Sequence, residues 1–366
     1  MTARAFEPDW LSAPGGTILD VLEERDMTSK ELAALLGYSI DRTERLIAGK
    51  EAITRDVANL LSKRVGGSEK FWLSRERNYR DEVARLQSKG DANAARAWLD
   101  ELPLKDMQKF GWIPTSARAE QSVSACLRYF GVNDVQEWRR KYSQFLSLVS
   151  FRTSPTHKSE PGSVIAWLRY GEVRSDDISC KPWNTDGFAR SLINMRRLTR
   201  QKSPSTFIPE LRRLCAENGV ALVIARAPAG CRASGATRFL TNKKAMILLS
   251  FRFLADDQFW FTFFHEAGHL LMHGQKALFI EDGSDVCLKE EHEANLFAQN
   301  ILIPLEARAE FLSLKPSREN IIRFAVKAGI SRGIVVGQLQ HQGRLEPNQL
   351  NFLKRRYTID DIGRIP

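Results

Sequence analysis

The sequence lacks the long uninterrupted apolar segment that a membrane-spanning helix requires. Its longest apolar stretch, residues 259–272, is interrupted by His265, Glu266 and His269, whereas a spanning helix needs about 20 mainly apolar residues. The N-terminal residues also lack the apolar core of a secretory signal. We therefore expect a cytoplasmic protein that makes no contact with a membrane.

Cysteine is sparse and irregularly placed. The 366 residues contain five cysteines, and no two of them have the Cys-x-x-Cys spacing. An odd number of scattered cysteines argues against a disulfide framework and against a cysteine-ligated zinc site. We expect reduced thiols at Cys126, Cys180, Cys215, Cys231 and Cys287.

The N-terminal part of the chain lacks an excess of positive charge. Residues 1–90 contain 15 basic and 15 acidic side chains, so the formal net charge of +10 belongs to the remaining residues. A basic surface attracts nucleic acid in a sequence-independent way. The overall charge therefore does not by itself support DNA binding by the N-terminal segment.

A chain of this length is expected to form two or three domains. The pattern predicts a mainly α protein with a small β-sheet: a helix-turn-helix bundle at residues 1–90, a helical connecting region at 91–160 and an α+β domain at 161–366. Residues 152–162, rich in Thr, Ser and Pro, are the linker candidate.

The predicted strands of the C-terminal domain are apolar and β-rich. They lie at residues 220–225, 236–240 and 245–251, and a helix follows from about Asp256. We expect the run at 245–251 to be an edge strand, on which an extended peptide would pair.

Helix-capping signals organise the first 50 residues. Thr28 followed by Glu31 has the spacing of a capping box, Gly37 ends that helix, and Ser39 caps the next one. Helix, three-residue turn, helix is the spacing of a helix-turn-helix.

Residues 14–86 resemble the Cro/repressor-type domain of HigA-like antitoxins. The resemblance rests on MTSKELAALLG at 27–37, RLIAGK at 45–50, AIT at 52–54 and EKFWL at 69–73. It implies a transcription regulator of toxin–antitoxin type that binds double-stranded operator DNA, and we expect a homodimer.

The recognition helix carries mixed charge. Asp41 and Glu44 depart from the small and basic residues usual in the family, and acidic side chains repel phosphates. The alternative is a helix-turn-helix kept for dimerisation or partner docking. If the segment binds DNA, the candidate contacts are Ser39, Arg42, Thr43 and Arg45.

The sequence HEAGH at residues 265–269 has the spacing of a zinc-binding helix. His265 and His269 lie four residues apart, so a helix projects both imidazoles from one face, as two ligands of a tetrahedral Zn²⁺. Glu266 is then placed as a general base. The surrounding residues are apolar almost all round, which predicts a buried helix. Buried histidines and a buried carboxylate need partners, and a metal ion supplies them.

A third ligand is expected from residues 289–304. Glu290 and Glu291 lie on the two edges of the buried stripe of this predicted helix, so periodicity does not separate them. His292 points away from the stripe and stays a further alternative. Asn295 lies one turn after Glu291, where it would orient a ligating histidine as an outer partner, and this favours Glu291.

Two further residues have open interpretations. His273 continues the four-residue histidine series, as an outer partner of the site, a contact to the transition state or a helix-end histidine. Glu293 reads as part of a solvated acidic helix start, which the helix dipole favours.

The C-terminal motifs resemble the ImmA/IrrE family of metallopeptidases. They are HEAGHLLMHG at 265–274, E-x-x-A-N-x-F-A at 291–298, LIP at 302–304, R-x-S-G-A-T-R at 232–238 and GIVVGQLQH at 333–341. The resemblance implies a zincin-like domain with His265, His269 and Glu291 as ligands and Glu266 as base.

The resemblance also implies substrates that are regulatory proteins, often repressors. The combined expectation is a DNA-binding regulator that carries a zinc-dependent endopeptidase domain. The alternative is an antitoxin-like repressor whose metal domain senses a signal or binds a partner without turnover.

Overall fold

The computed structural model describes residues 13–116, 118–151, 159–274, 279–280, 288–358 and 360–361. Two compact units emerge, Met1–Ala95 and Arg96–Pro366. Domain boundaries at residues 90 and 160 stay predictions. Cys287 and most of the predicted linker lie outside the described residues, whereas residues 161–162 already belong to a helix.

The first unit is helical. Its helices are α1 (Pro14–Glu24), α2 (Ser29–Leu36), α3 (Ile40–Ile47), α4 (Arg55–Arg64) and the first part of α5 (Glu69–Leu99). Helix α5 crosses residue 90, where the predicted bundle ends, and runs through Gly90. A helical Gly costs only about 1 kcal/mol relative to Ala, and the Ala and Arg residues that follow offset it.

The predicted capping signals are present in α2 and α3. Thr28 accepts the Glu31 N–H, the Glu31 carboxylate accepts from the Thr28 N–H, and Gly37 has the left-handed conformation at φ 70°. The Ser39 hydroxyl accepts the Arg42 N–H. Three residues therefore separate two capped helices, and buried apolar side chains join them to the rest of the unit: Ile18, Leu22, Leu32, Leu36, Leu46, Val57, Leu61 and Trp72.

The second unit combines helices with one small sheet. Its further helices are α6 (Leu104–Lys109), α7 (Ala119–Phe130), α8 (Val135–Phe151), α9 (Pro161–Asp176), α10 (Thr185–Leu198), α11 (Pro204–Ala216), α12 (Asp256–Met272), α13 (Leu288–Leu302), α14 (Leu305–Ser313), α15 (Arg318–Ala328), α16 (Arg332–His341) and a 3-10 turn (Asn351–Leu353). The strands are β1 (Val220–Ile224), β2 (Gly235–Thr241), β3 (Lys244–Leu249) and β4 (Phe279–Ile280). Among the described helices, none is long and apolar enough to cross a membrane.

The sheet has the order β1-β3-β2-β4, with β1 parallel to β3 and the other pairs antiparallel. On β3, Ile247 and Leu249 join the main core, whereas Met246 and Leu248 face the core under α9. Both faces are therefore covered, which explains the continuous apolar run. The expectation that residues 245–251 form an edge strand was wrong, because β3 is hydrogen-bonded on both sides and has no free edge for a peptide.

Helix α12 lies in the main core. Its first turn is tied to the C-terminal region: Asp256 accepts hydrogen bonds from the Ser331 hydroxyl and, at 2.9 Å, from the Arg355 N–H. The neighbouring Asp257 pairs with Lys354 at 2.7 Å. These contacts fix the start of the helix that carries the HEAGH sequence.

Candidate metal centre

The HEAGH residues lie on the last two turns of α12. As the apolar surroundings predicted, this helix is buried: His265 and His269 are each 1% exposed and Glu266 is 0% exposed. Phe263 and Phe264 precede the motif and are fully buried in the same core. Polar groups in such surroundings are costly unless they are paired or coordinate a metal.

Helix α13 brings a carboxylate to the two histidines. The Glu291 Oε2 atom lies 3.2 Å from His265 Nε2, and Oε1 lies 3.4 Å from His269 Nε2. The two Nε2 atoms are 3.0 Å apart. Among the described residues, these three form a group of potential ligands within 4.8 Å of one another. Of the three side chains considered at 290–292, it is Glu291 that reaches the histidines.

The separations of these atoms fit a tetrahedral metal ion. Zn–N and Zn–O bonds measure about 2.0–2.2 Å, so neighbouring ligands of a tetrahedral site lie about 3.3–3.6 Å apart. The observed 3.0, 3.2 and 3.4 Å require shifts of a few tenths of an ångström. Two imidazole nitrogens and one carboxylate also leave a fourth position, as catalytic zinc sites do.

Close helix packing brings the carboxylate within reach. A methyl group at Gly268 would lie 3.0 Å from Phe297 of α13, so the glycine between the two histidines allows the helices to approach. Glu291 lies less than two turns before Phe297 on the same helix. The Gly268 contact therefore sets the distance between α13 and the histidines.

The outer nitrogens of the histidines are hydrogen-bonded. His265 Nδ1 lies 3.0 Å from the Oδ1 atom of Asn295, in the outer position predicted for that residue. His269 Nδ1 lies 2.9 Å from His273 Nδ1. His273 Nε2 in turn lies 3.0 Å from Glu293 Oε2. His273 therefore contacts His269 and is 9% exposed at its side chain.

Glu293 contacts His273, whereas the sequence pattern indicated only a solvated residue at the start of a helix. The signal that points to it is His273 itself, since a largely buried imidazole needs a partner on its far nitrogen. The hydrogen bond from His273 lowers the pKa of the Glu293 carboxyl.

The protonation states of Glu291 and His269 suit the binding of a cation. Burial on its own raises the pKa of the Glu291 carboxyl, but hydrogen bonds from His265 and His269 outweigh this effect and bring the pKa to about 2. Burial lowers the pKa of His269, although its hydrogen bond to Glu291 opposes the effect. A carboxylate and a neutral imidazole are the forms that bind metal.

Glu266 lies against the start of β2. A methyl group at Gly235 would lie 2.5 Å from Glu266 Oε1 and 2.7 Å from the Thr262 methyl. The strand backbone therefore approaches this carboxylate closely, which only glycine permits. Glu266 thus lies between the candidate ligand His265, which it follows directly in the sequence, and the first residue of β2.

The candidate DNA contacts of α3 are placed differently from one another. The Ser39 hydroxyl caps the helix. Arg42 pairs with Glu51 at 2.7 Å and lies over the Tyr38 ring, and this hydrogen bond to Glu51 raises the Arg42 pKa. Arg45 pairs with Asp41 at 2.7 Å and lies 3.8 Å from Glu51. Both arginines are part-exposed, but each already has an acidic partner.

Thr43, in contrast, is buried within the first unit. It is 0% exposed, and its hydroxyl donates to the Ser39 carbonyl at 3.1 Å. The prediction that Thr43 contacts DNA was wrong, because Thr43 lies three residues before Leu46 on the buried face of α3.

Comparison with known proteins identifies the domain that holds the candidate ligands. Residues 221–339 match the family model of Peptidase_M78, the IrrE N-terminal-like domain. This segment contains His265, Glu266, His269 and Glu291. No curated protein and no solved structure matches the chain. The chain thus carries an M78 peptidase-family domain, whereas the HigA-like resemblance of residues 14–86 stays a prediction.

Proposed function

We propose that the protein is a zinc-dependent endopeptidase that cleaves a regulatory protein. The observation that carries the proposal is the group of His265, His269 and Glu291, which adjoins Glu266 inside a peptidase-family domain. The choice of a regulatory protein as substrate comes from the resemblance to the ImmA/IrrE family. Two imidazoles and one carboxylate in tetrahedral arrangement favour Zn²⁺ over the hard cations that prefer oxygen ligands.

Each residue has a distinct role in the proposed hydrolysis. His265, His269 and Glu291 would hold the ion, and Asn295 accepts a hydrogen bond from His265 that orients its ring. Bound zinc supplies Lewis acidity that polarises a peptide carbonyl and acidifies water. Glu266 accepts the proton of the attacking water and passes it to the departing amine. The close approach of Gly235 holds the Glu266 carboxylate beside the reaction.

The test compares metal binding and hydrolysis in a Glu266→Gln variant of the full chain. The variant keeps every ligand, so we expect zinc content equal to wild type, measured by elemental analysis. Loss of the general base should lower cleavage about 10²- to 10⁴-fold. The substrate is a peptide library, and mass spectrometry detects the products.

A Glu290→Gln variant is the matched control, because it makes the same chemical change on α13 without touching the proposed machinery. It should cleave like wild type. Equal cleavage by Glu266→Gln and wild type, or wild-type protein that binds no zinc, would overturn the proposal. If Glu266→Gln also represses its target promoter normally, proteolysis is dispensable, which supports the repressor alternative without turnover.

A second proposal concerns the first unit. We propose that α3 contacts double-stranded operator DNA through Arg42 and Arg45, in a homodimer that presents two such helices to two half-sites. The capped α2–turn–α3 arrangement supports it. The ion pairs with Glu51 and Asp41 oppose it, because each arginine must exchange a carboxylate for a phosphate or a base edge. Unchanged promoter occupancy in an Arg42→Ala/Arg45→Ala variant would contradict it.

A further inference from the structure

The two histidine ligands have different outer partners. His265 Nδ1 meets an amide oxygen of Asn295 at 3.0 Å, which only accepts a hydrogen bond. His269 Nδ1 instead meets another imidazole nitrogen, His273 Nδ1, at 2.9 Å. An imidazole nitrogen can donate or accept, depending on where the ring carries its proton. The partner of His269 therefore does not determine the direction of the hydrogen bond.

The direction of the hydrogen bond between His269 and His273 depends on the next residue in the series, Glu293. His273 Nε2 lies 3.0 Å from the Oε2 atom of Glu293. An ionised carboxylate has only acceptor sites, so His273 must carry a proton on Nε2. In the neutral ring Nδ1 is then an acceptor, and it accepts the hydrogen bond that His269 Nδ1–H donates. In this tautomer the lone pair of His269 lies on Nε2, the atom that faces Glu291 and His265, so Nε2 binds an ion there instead of donating a hydrogen bond to Glu291.

We propose that Glu293 is a positioning residue that acts through His273 to hold His269 in the tautomer that binds the metal. This inference rests on the proposed function, since it concerns the same zinc site. It makes the two ligands equivalent, because the Nδ1 atom of each starts a hydrogen-bond path, a series of hydrogen bonds that ends on an oxygen acceptor. For His265 the path is one hydrogen bond long, and for His269 it is two.

The exposure of the Glu293 side chain distinguishes a positioning role from a role in packing. The Glu293 side chain is 41% exposed, whereas that of His273 is 9% exposed. Truncation of Glu293 therefore removes little packed surface, and the metal-free protein should lose only the small contribution of one hydrogen bond at the surface. The neighbouring Lys289 lies 3.9 Å from the other carboxylate oxygen, so a Lys289→Ala variant tests whether that ion pair matters.

The experiment measures zinc affinity at one fixed pH by competition with a chromophoric chelator, in the full chain. Removal of an outer partner typically weakens metal binding 10- to 100-fold, and we expect a loss of that size in Glu293→Ala. In Glu293→Gln the amide oxygen still accepts, so affinity should be restored. Glu293→Lys offers only donors and reverses the path, so it should bind zinc more weakly than Glu293→Ala.

Two controls separate tautomer control from charge and from packing. Glu290→Ala and Glu290→Lys make the same charge changes three residues earlier on α13, and we expect a much smaller loss of affinity. In a His273→Ala background the path is already broken, so Glu293→Ala should add no further loss. Urea unfolding of metal-free Glu293→Ala and Glu293→Gln should stay close to wild type, and the visible spectrum of the cobalt-substituted protein should change in Glu293→Ala.

Several results would overturn the inference. They are wild-type zinc affinity in Glu293→Ala, equal losses in the Glu290 variants, or additive losses with His273→Ala. These results leave the proposed peptidase intact if wild-type protein binds zinc and cleaves peptides. Conversely, a wild-type protein that binds zinc but does not cleave would refute the peptidase alone, because the Glu293 series is scored on affinity.

Discussion

Removal of the Lys354 ammonium should destabilise the second unit far more than removal of a surface lysine. Lys354 Nζ lies 2.7 Å from Asp257 Oδ2, and the two side chains are 9% and 4% exposed. The same ammonium donates to Gln340 Oε1 at 2.7 Å. A Lys354→Met variant keeps much of the apolar stem but leaves Asp257 charged and buried at the start of α12.

The magnitude follows from burial. Breaking a buried ion pair by removing one partner costs about 3–5 kcal/mol, because the remaining charge has lost its solvent and its counter-charge. The neighbouring buried carboxyl of Asp256 adds like-charge repulsion: burial is the largest cause that raises the pKa of Asp256, and the charge of Asp257 also raises it. The exposed pair of Lys327 and Glu310 has a similar separation, 2.6 Å, but side chains 71% and 41% exposed. Such a pair contributes only about 0–1 kcal/mol.

The assay is urea denaturation of the full chain, which compares Lys354→Met with the matched Lys327→Met control. The midpoint should fall strongly in the first variant and little in the second, with the slope unchanged. Adding Asp257→Asn to Lys354→Met removes the orphaned charge and should recover part of the loss. Equal midpoint shifts in the two lysine variants, or no recovery in the double variant, would refute the argument from burial.

Two further predictions concern the first unit. Gly16→Ala should stabilise α1 by about 0.4–1 kcal/mol, because nothing lies within 4 Å of the added methyl group. Gly15→Ala should destabilise the unit strongly, because its methyl group would lie 1.7 Å from the Ile47 carbonyl oxygen. Thermal unfolding of both variants checks this prediction, and a stable Gly15→Ala protein contradicts it. Glu51→Gln should release Arg42 from its ion pair and tighten binding to operator DNA, measured by fluorescence anisotropy at fixed salt; unchanged or weaker binding would count against contact by α3.

Patterns within single helices were predictable from the sequence. The four-residue spacing of His265 and His269 fixes their common face, because a helix has 3.6 residues per turn. The capping box at Thr28 is equally local, since its hydrogen bonds join residues three apart. The apolar stretch around HEAGH predicted burial of α12 for the same reason: composition over several turns determines whether a helix has a polar face.

Relations between separate elements depended on the tertiary structure. Periodicity placed Glu290 and Glu291 on the edges of one helix, but only the packing of α13 against Gly268 brings Glu291 to the histidines. The apolar run of β3 is compatible with an edge or an interior strand, and only the strand order shows that it is interior. Side-chain chemistry alone allowed Thr43 to contact DNA, whereas the packing of α3 buries it.

The histidine spacing, the position of Glu266 and the buried helix are thus properties of the sequence, because backbone geometry relates residues a turn apart without reference to the rest of the chain. The third ligand, the path from His269 through His273 to Glu293, and the ion pairs of Arg42 and Arg45 are properties of the folded chain. The proposed third ligand, the last step from His273 to Glu293 and the pair of Arg42 with Glu51 each require that two segments approach to about 3 Å, a hydrogen-bond distance, whereas the pair of Arg45 with Asp41 lies within one helix. Sequence patterns do not specify such distances, because they result from the packing of all the side chains between the segments.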